Sequence, residues 1–307
     1  MRVLAFAKIN LSLQILGVRA DGYHDLRTLF QSIRLHDTLT IRVRRGPWQL
    51  TCGADGVPTD DSNLIARAAA AAWRAAGRRG RPDGVSVHLT KRIPPRAGLG
   101  GGSSDAAAAL RTLGRVWGAD DARLRASAAA IGADVGYFLE GGTVLGLDRG
   151  DLLLPLIDYP AAWVVLALPD FGVSTRDAYR WLDSDRARRR RRSPHRQAPH
   201  VYRSPERLAL RAGRVPDLLA LPLANDLEPS VVRRHRQIGR IVAALRQAGA
   251  DHAAMSGSGS AVFGLFRART AAVAAAARVQ RTTRARTLVT RTLPRAAYRR
   301  LGPIPRA

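Results

Sequence analysis

A glycine-rich stretch at Pro94–Leu110 has the residues best suited to binding an anion. Two prolines open the stretch and disfavour a helix there, and four glycines then leave the backbone free to approach a ligand. Ser103, Ser104 and Asp105 are candidate helix N-caps, and the alanine run behind them favours a helix. A glycine turn that leads into a helix presents unpaired N–H groups at the positive end of the helix dipole. The stretch therefore predicts a phosphate-binding loop.

The spacing of these glycines excludes two common phosphate loops. A Walker A loop requires a lysine directly after its last glycine, and none is present here. A dinucleotide-binding fingerprint requires a third glycine where Ser103 stands, and a strand where the prolines stand. A flexible glycine linker is the alternative interpretation, although linkers seldom run directly into a capped helix.

A lysine and an asparagine two residues apart form a second candidate site. Odd-numbered positions from 3 to 15 are all apolar, which predicts a strand with Lys8 and Asn10 together on its other face. Only Lys8 and Lys91 are lysines among the 50 basic residues. A compact ammonium among apolar residues suits binding or catalysis, but a lysine that protects an edge strand from aggregation fits these residues equally well.

Three short motifs elsewhere have both a functional and a local structural interpretation. Tyr23 and His24 follow an Asp-Gly turn and form either a ligand platform or a hairpin cap. Asp134 follows a predicted helix and is either a reactive carboxylate or a cap. The small residues of Ser256–Ser260 either let the backbone lie close to a ligand or to the glycine loop, or form a plain tight turn. The seven histidines are scattered, without metal-ligand spacing.

The apolar pattern predicts a chain of mixed strands and helices that positions these motifs. The predicted strands are 3–15, 35–43, 48–52, 85–90, 143–147, 161–168, 261–266 and 287–293. The predicted helices are 64–76, from the glycine loop to 116, 121–131, 231–248 and 271–285. Residues 186–214 are expected to form a solvated insertion or mobile loop, and the arginine-rich end of the chain is expected to fray.

Composition limits the class of protein. With 307 residues the chain has room for two domains, and a single cysteine excludes a disulfide framework. The longest apolar run, 161–168, is too short to span a bilayer, and no leader precedes the first strand, so a cytoplasmic protein is expected. A net charge of +26 suggests nucleic-acid binding, but aromatic residues are only 6% of the chain. An arginine-biased surface is the favoured interpretation.

Taken together, the motifs resemble those of the galactokinase–homoserine–mevalonate–phosphomevalonate (GHMP) kinase superfamily. The three superfamily motifs are matched by Ala7–Leu11, Pro94–Ser104 and Ser256–Ser260. One branch of the superfamily acts on a cytidine-diphosphate-linked sugar alcohol. Three segments of this chain resemble the motifs of that branch: Asp21–His24, Gly98–Asp105 and Gly132–Val135. The resemblance covers nearly the whole chain, apart from the arginine-rich insertion and the tail.

The resemblance implies an α+β fold of two domains with the active site between them. Residues 1–155 would form a ribosomal-protein-S5-domain-2-like N-terminal domain with the ATP loop. Residues 156–307 would form a ferredoxin-like C-terminal domain with the insertion at about 186–214. The implied activity is ATP-dependent phosphorylation of the 2-hydroxyl of a cytidine-diphosphate-linked methylerythritol, in non-mevalonate isoprenoid biosynthesis.

The same resemblance implies the residues of the site. Lys8 and Asp134 would be the catalytic pair. The implied nucleotide-binding residues are Pro94, Pro95, Arg96, Ala97, Gly98, Leu99, Gly100, Gly101, Gly102, Ser103 and Ser104. The implied substrate-binding residues are Asn10, Tyr23, His24, Thr175 and Tyr179. Mg²⁺ is expected with ATP, with Ser104 or Asp105 as guesses for its ligand.

Three departures from the family pattern and three rival interpretations accompany this resemblance. Arg96 stands where a small residue is usual, Gly136-Tyr137 replaces a common Pro-Phe, and the arginine-rich insertion has no counterpart. None removes a chemical group that the reaction needs. The expected partner is a small-molecule substrate, with no membrane and no nucleic acid. The rivals are a sibling kinase of the superfamily, a catalytically dead relative, and an arginine-rich nucleic-acid-binding protein.

Overall fold

The computed structural model describes residues 1–192 and 223–302, which form two sheets with helices packed on them. The first sheet has six strands: β1 (Arg2–Val18), β2 (His24–Pro47), β3 (Gln49–Cys52), β4 (Asp83–Thr90), β5 (Thr143–Asp148) and β6 (Leu152–Pro155). Their order is β3-β4-β2-β5-β6, and β1 pairs with β2. The second sheet has four strands in the order β10-β7-β9-β8: β7 (Trp163–Leu168), β8 (His252–Met255), β9 (Val262–Phe266) and β10 (Arg286–Arg291). All pairs are antiparallel except β3–β4.

The described residues include nine helices. They are α1 (Leu64–Ala75), α2 (Gly101–Trp117), α3 (Asp121–Ile131), α4 (Val135–Glu140), α5 (Thr175–Arg192), α6 (Glu228–Arg234), α7 (Arg236–Gln247), α8 (Arg269–Thr283) and α9 (Arg295–Leu301). The alanine-rich α1 and α2 share one core with the first sheet. Small side chains let these two helices approach closely. Trp73 of α1 and Trp117 of α2 make an edge-to-face contact, with ring centroids 5.1 Å apart.

Strand β7 of the second sheet is buried on both faces, and this explains its continuous apolar sequence. Along β7, Val165 and Ala167 face the core formed with α7 and α8. Val164 and Leu166 face the opposite way and pack against Ile9 of β1. Because strand side chains alternate between faces, one strand supplies both cores. The two sheets therefore share an apolar core, and β1 lies at the centre of the molecule.

Strand β1 passes from one core to the other along its length. Val3 packs in the first core, Ile9 between the sheets, and Leu13 in the core of the second sheet. Its pairing with β2 shifts register between Phe6 and Lys8, and again further along. Such irregularities bend and twist a strand, which lets one strand serve successive layers.

Most of the predicted elements are present, and three predictions are wrong. The predicted strand 35–43 is confirmed as part of the longer β2, which begins at His24. The predicted helix 231–248 is broken at His235, whose ring stacks on Phe171 at 4.5 Å. Residues 186–192 belong to α5 and are not part of a loop. The rest of the predicted insertion, 193–214, lies outside the described residues.

The arginine-rich end is the third prediction that is wrong, because residues Arg295–Leu301 form helix α9 rather than fraying. Tyr298 of α9 is buried, and its hydroxyl donates to the carbonyl of Phe138 at 2.7 Å. Tyr298 also packs against Phe6 of β1. Because its ring is buried and its hydroxyl is hydrogen-bonded, Tyr298 anchors α9 to the part of the molecule that contains the first sheet. Residues 303–307 lie outside the described residues.

Candidate active site

A cavity of about 1380 Å³ opens between the first sheet with its glycine loop and the segments 173–183 and 257–258, and it is lined by nearly all of the predicted site residues. Its walls come from β1, β2, the glycine loop, the segment before α4, the start of α5 and the 257–258 turn. All of the predicted loop residues except Ser104 line it, together with Lys8, Asn10, Tyr23, His24, Asp134, Thr175 and Tyr179. The apolar residues Val57, Leu64 and Leu89 also line the cavity.

The glycine loop lies where β1 meets the 256–259 turn. Leu99 accepts a backbone hydrogen bond from Lys8 at 3.0 Å, and Gly98 accepts one from the Ser256 hydroxyl at 2.9 Å. Gly98 has a φ of 73°, and a Cβ at this position would lie 2.0 Å from the carbonyl oxygen of Ser256. Only glycine allows both the positive φ and this approach. The Ser256–Ser260 segment therefore holds the first loop in place, so it is more than a plain tight turn.

The helix after the loop begins earlier than its residue types predict. Gly100, at a φ of 70°, is the N-cap of α2, and no side chain caps the helix. The expectation that Ser103, Ser104 or Asp105 forms the cap is therefore wrong, because a left-handed glycine starts the helix before them. The first N–H groups of α2 thus remain without a side-chain cap at the edge of the cavity. Uncapped N–H groups at a helix start favour an anion.

Ser104 is the one predicted loop residue that the structure places away from the cavity. Its side chain is buried, and its hydroxyl donates to the carbonyl of Phe6 at 2.7 Å. This bond fastens α2 to β1. Ser103, one residue earlier, does line the cavity.

Lys8 lies at the centre of the cavity wall and is only 4% exposed. Its Nζ donates to Asn10 Oδ1 at 2.6 Å, and the Asn10 amide donates to Thr28 Oγ1 at 2.7 Å. The predicted proximity of Lys8 and Asn10 on one strand face is confirmed. The interpretation of Lys8 as an edge-strand protector is wrong, because that role requires an exposed side chain.

Asp134 approaches Lys8 from the opposite wall. Its Oδ2 lies 3.6 Å from Lys8 Nζ, and its side chain is 33% exposed. Although Asp134 stands at the N-cap position of α4, its side chain makes no capping hydrogen bond. The interpretation as a simple cap therefore lacks its defining contact. Lys8 and Asp134 are 126 positions apart in the chain, so only the fold brings them together.

Burial and charge act in opposite directions on the Lys8 ammonium. Burial is the larger effect and lowers the pKa of Lys8 below its usual value, while the nearby Asp134 carboxylate raises it. The Phe30 ring lies under the ammonium, with Nζ 5.4 Å from the ring centroid. The buried Lys8 ammonium is therefore suited to stabilising negative charge on a group bound in the cavity, beside the partly exposed Asp134 carboxylate.

The other end of the cavity is built around aromatic rings. The ring of His24, at the start of β2, packs against that of Tyr179 of α5 at a centroid distance of 4.7 Å. Burial raises the pKa of Tyr179 well above its usual value, so this hydroxyl stays protonated. Tyr23 is 60% exposed, and the Arg149 guanidinium lies 5.4 Å from its ring centroid. Thr175 Oγ1 lies 3.1 Å from Ser258 Oγ, which ties α5 to the 257–258 turn.

Sequence reasoning missed Asp183, whose Oδ1 lies 2.9 Å from His24 Nε2. Thr175, Tyr179 and Asp183 are spaced four residues apart, so they share one face of α5. That four-residue spacing is a signal of a helix in the sequence, but the helix continues to Arg192, into the predicted insertion that begins at 186. Arg149 was also missed, and no local pattern marks it.

The family comparisons agree with this geometry. The profile for the GHMP kinases N terminal domain matches residues 63–142, and the profile for the GHMP kinases C terminal domain matches residues 208–285. A homoserine kinase structure from Cytophaga hutchinsonii is similar in fold, with a TM-score of 0.67, 20% identity, and coverage of 96% of this chain and 94% of that one. The fold is that of the GHMP kinases, a family whose phosphate donor is ATP.

More similar relatives narrow the assignment. A 4-diphosphocytidyl-2-C-methyl-D-erythritol kinase from Moorella thermoacetica is 41% identical, over 94% of this chain and 98% of its own length. One from Anaeromyxobacter dehalogenans is 42% identical, over 90% and 84%. A crystal structure of 4-(cytidine 5'-diphospho)-2C-methyl-D-erythritol kinase has a TM-score of 0.72, 34% identity, and coverage of 95% of this chain and 99% of that chain. The chain belongs to the 4-diphosphocytidyl-2-C-methyl-D-erythritol kinase family.

These comparisons confirm the resemblance drawn from the motifs and the expected two-part GHMP kinase fold. They do not favour the arginine-rich nucleic-acid-binding alternative. Within residues 1–192 and 223–302, no helix is long and apolar enough to cross a membrane.

Proposed function

We propose that this chain transfers the γ-phosphoryl group of ATP to the 2-hydroxyl of 4-diphosphocytidyl-2-C-methyl-D-erythritol, in non-mevalonate isoprenoid precursor biosynthesis. The observation that supports this most directly is the position of the Lys8–Asp134 pair. It lies in one cavity with the glycine loop and the His24–Tyr179 ring pair. A phosphate donor and a flat nucleobase could thus be held on either side of one carboxylate.

The glycine loop is proposed to hold the ATP phosphates with backbone N–H groups. The residues proposed to line the nucleotide site are Pro94, Pro95, Arg96, Ala97, Gly98, Leu99, Gly100, Gly101, Gly102 and Ser103. Ser104 is proposed to act indirectly, because its hydroxyl holds the first turn of α2 against β1. Phosphoryl transfer depends mainly on alignment and on neutralising charge, and a rigid loop of N–H donors supplies both.

Asp134 is proposed to accept the proton of the attacking hydroxyl. In that step the substrate oxygen forms its bond to the γ-phosphorus, the bond from that phosphorus to the bridging oxygen breaks, and ADP leaves with that electron pair. The hydroxyl proton passes to Asp134. The Lys8 ammonium, 3.6 Å from the carboxylate, favours its ionised form and offers positive charge to the developing alkoxide.

The aromatic end is proposed to hold the cytosine ring. Tyr23, His24 and Tyr179 supply flat faces for stacking, and the Thr175–Ser258 contact fixes the start of α5 beside them. Asn10, which accepts from Lys8, is proposed to orient the ammonium at the substrate's reacting end.

Magnesium is proposed to enter with ATP and to be held chiefly by phosphate oxygens, whose charge it would neutralise. Of the two guessed ligands, Ser104 already donates to a backbone carbonyl and Asp105 is bound to Lys91. The group of the cavity-lining loop that fits is the Ser103 hydroxyl. Such a sparse set suits Mg²⁺, which keeps several waters and often takes only one or two protein ligands.

The proposed division into residues 1–155 and 156–307 is supported by the sheets, since the first ends at Pro155 and the second begins at Trp163. Helix α9 crosses this division, because Tyr298 packs against the first part. The proposed partner is a small-molecule substrate, and the protein is proposed to be cytoplasmic.

A substrate panel tests the proposal. ADP release is measured with 4-diphosphocytidyl-2-C-methyl-D-erythritol, mevalonate and homoserine, for the wild type, Asp134→Ala and the control Asp251→Ala. Asp251 is an exposed carboxylate on another surface, paired with Arg267. The expected result is turnover of the first substrate alone, lost in Asp134→Ala and kept in the control. Turnover of mevalonate or homoserine instead would support a sibling kinase. If none of the three substrates is turned over, the result would support a catalytically dead relative.

A further inference from the structure

The ring of His24 is held from two directions by one helix, α5. Its Nε2 lies 2.9 Å from Asp183 Oδ1, and its face packs against the Tyr179 ring with centroids 4.7 Å apart. The His24 side chain is only 11% exposed, whereas that of Asp183 is 46% exposed. Both His24 and Asp183 line the cavity. The proposed function uses the face of the His24 ring but gives the Asp183 contact no role.

Packing fixes the position of Asp183 relative to this ring. On one side of α5, Ala178 and Leu182 are buried in the core of the second sheet. Their burial fixes how the helix is rotated about its axis, so that the face with Tyr179 and Asp183 lies against His24. His24 in turn begins strand β2, which is paired with β1. The contact therefore joins two elements that are each held in place by the fold.

The Asp183 contact determines which nitrogen of a neutral His24 ring carries the proton. A carboxylate only accepts hydrogen bonds, so Nε2 must be the donor. The other nitrogen, Nδ1, then has an unshared electron pair and is an acceptor. Turning the ring over would place a carbon atom opposite Asp183 and lose the hydrogen bond. Among residues 1–192 and 223–302, no group is hydrogen-bonded to His24 Nδ1.

A ring nitrogen that only accepts hydrogen bonds can distinguish cytosine from uracil. Cytosine has the amino group N4–H₂ at the position where uracil has the acceptor oxygen O4. An unprotonated Nδ1 accepts from that amino group, but it cannot bond to O4, because two electron pairs would then face each other. Stacking on an aromatic ring does not make this distinction, since both bases are flat.

We propose that Asp183 is a positioning residue for His24, which it holds with the proton on Nε2, so that Nδ1 accepts from the amino group of cytosine and disfavours uracil. The inference rests on the cytosine-binding part of the proposed function, and it adds the residue that sets the specificity for the base. One directed hydrogen bond of this kind discriminates between bases by about tenfold to a hundredfold.

The first test measures binding and needs no turnover of substrate. The affinities for cytidine 5′-diphosphate and uridine 5′-diphosphate are measured by calorimetry in protein saturated with ADP, which competes for the glycine loop. The proteins are the wild type, Asp183→Asn and the control Asp177→Asn. Asp177 is a carboxylate on the same helix that pairs with Arg180 and does not line the cavity.

The wild type and the control are expected to prefer the cytidine nucleotide by about tenfold to a hundredfold. The amide of Asp183→Asn can either accept from Nε2 or donate to it, so it does not fix the proton. This preference should therefore fall by about threefold or more in Asp183→Asn. A merely structural loss would weaken both nucleotides equally, and an unchanged ratio would overturn the proposal. A wild type without a preference, or one that binds neither nucleotide, would also overturn it.

The second test is nitrogen-15 NMR of the wild type with bound cytidine 5′-diphosphate, which distinguishes protonated from unprotonated ring nitrogens. The His24 signals are assigned as those lost in His24→Gln. The expected spectrum shows a proton on Nε2 and none on Nδ1, and a proton on Nδ1 would overturn the proposal whether or not Asp183→Asn folds. A preference that depends on Asp183, found without phosphorylation of the cytidine-linked substrate, would overturn only the proposed function. Phosphorylation without that preference would overturn only this inference.

Discussion

Replacing Asp134 by asparagine separates the chemical role of this residue from its structural one. The amide keeps the shape of the side chain but cannot accept a proton from the attacking hydroxyl. Proton transfer to a positioned group is typically worth about 10² to 10⁴ in rate, so kcat should fall by that factor. The KM values for ATP and for the cytidine-linked substrate should change little, because neither the loop nor the ring pair is altered.

The structural cost of this substitution can be estimated from the Lys8–Asp134 geometry. The two charges are 3.6 Å apart, but the Asp134 side chain is 33% exposed, so solvent screens the pair. The loss should be about 1 kcal/mol, closer to that of a surface pair than to the 3–5 kcal/mol of a fully buried one. Lys8 keeps its bond to Asn10, which limits the penalty for the unpaired ammonium. Removing the carboxylate should also lower the pKa of Lys8 further, since Asp134 is what raises it.

The assay combines steady-state kinetics with urea unfolding of the same Asp134→Asn preparation. Asp251→Asn is the matched control and should be unchanged in both measurements. A kcat within about threefold of the wild type would refute the assignment of Asp134 as proton acceptor. A loss of stability well above about 3 kcal/mol would refute the estimate of a screened pair.

Three further substitutions test the loop, the ring pair and the contact between α5 and α6. Gly98→Ala should lose about 3 kcal/mol or more of stability in urea unfolding, together with ADP affinity, because its Cβ would lie 2.0 Å from the Ser256 carbonyl oxygen. Gly102→Ala, whose Cβ would meet nothing closer than 3.7 Å, is the control for stability and should be nearly neutral in urea unfolding. Tyr179→Leu should raise KM for the cytidine-linked substrate about three- to tenfold and leave KM for ATP unchanged, which initial rates would check. Asp185 pairs with two arginines of α6, and their hydrogen bonds hold its pKa below the usual value. Its contribution to stability is therefore present above the unfolded pKa of about 4 and is lost as pH falls, so Asp185→Asn should destabilise at neutral pH and not at strongly acidic pH.

The parts of the site that depend on local sequence were predictable. Lys8 and Asn10 share a strand face because side chains alternate, and the glycine loop is evident from composition. Asp134 is different, because no local pattern indicates which of the aspartates will lie beside Lys8. Its proposed role came from the family resemblance, and the fold then brought the two side chains within 3.6 Å.

Two of the wrong predictions share a cause: contacts distant in the chain override residue preferences. The helix break at His235 accompanies stacking on Phe171, a ring 64 positions away. Helix α9 forms because Tyr298 finds a buried pocket beside Phe6 and Phe138. The start of α2 is set by a left-handed glycine, so the serines that look like caps lie inside the helix.

The measurement that tests the central claim most directly is phosphorus and proton NMR of the reaction product. The enzyme is incubated with ATP, Mg²⁺ and 4-diphosphocytidyl-2-C-methyl-D-erythritol. The account predicts one new phosphate monoester on the 2-hydroxyl of the erythritol, formed in equal amount to ADP. Phosphate on another hydroxyl, or ADP formed with free phosphate alone, would contradict the proposed arrangement of loop, carboxylate and ring pair.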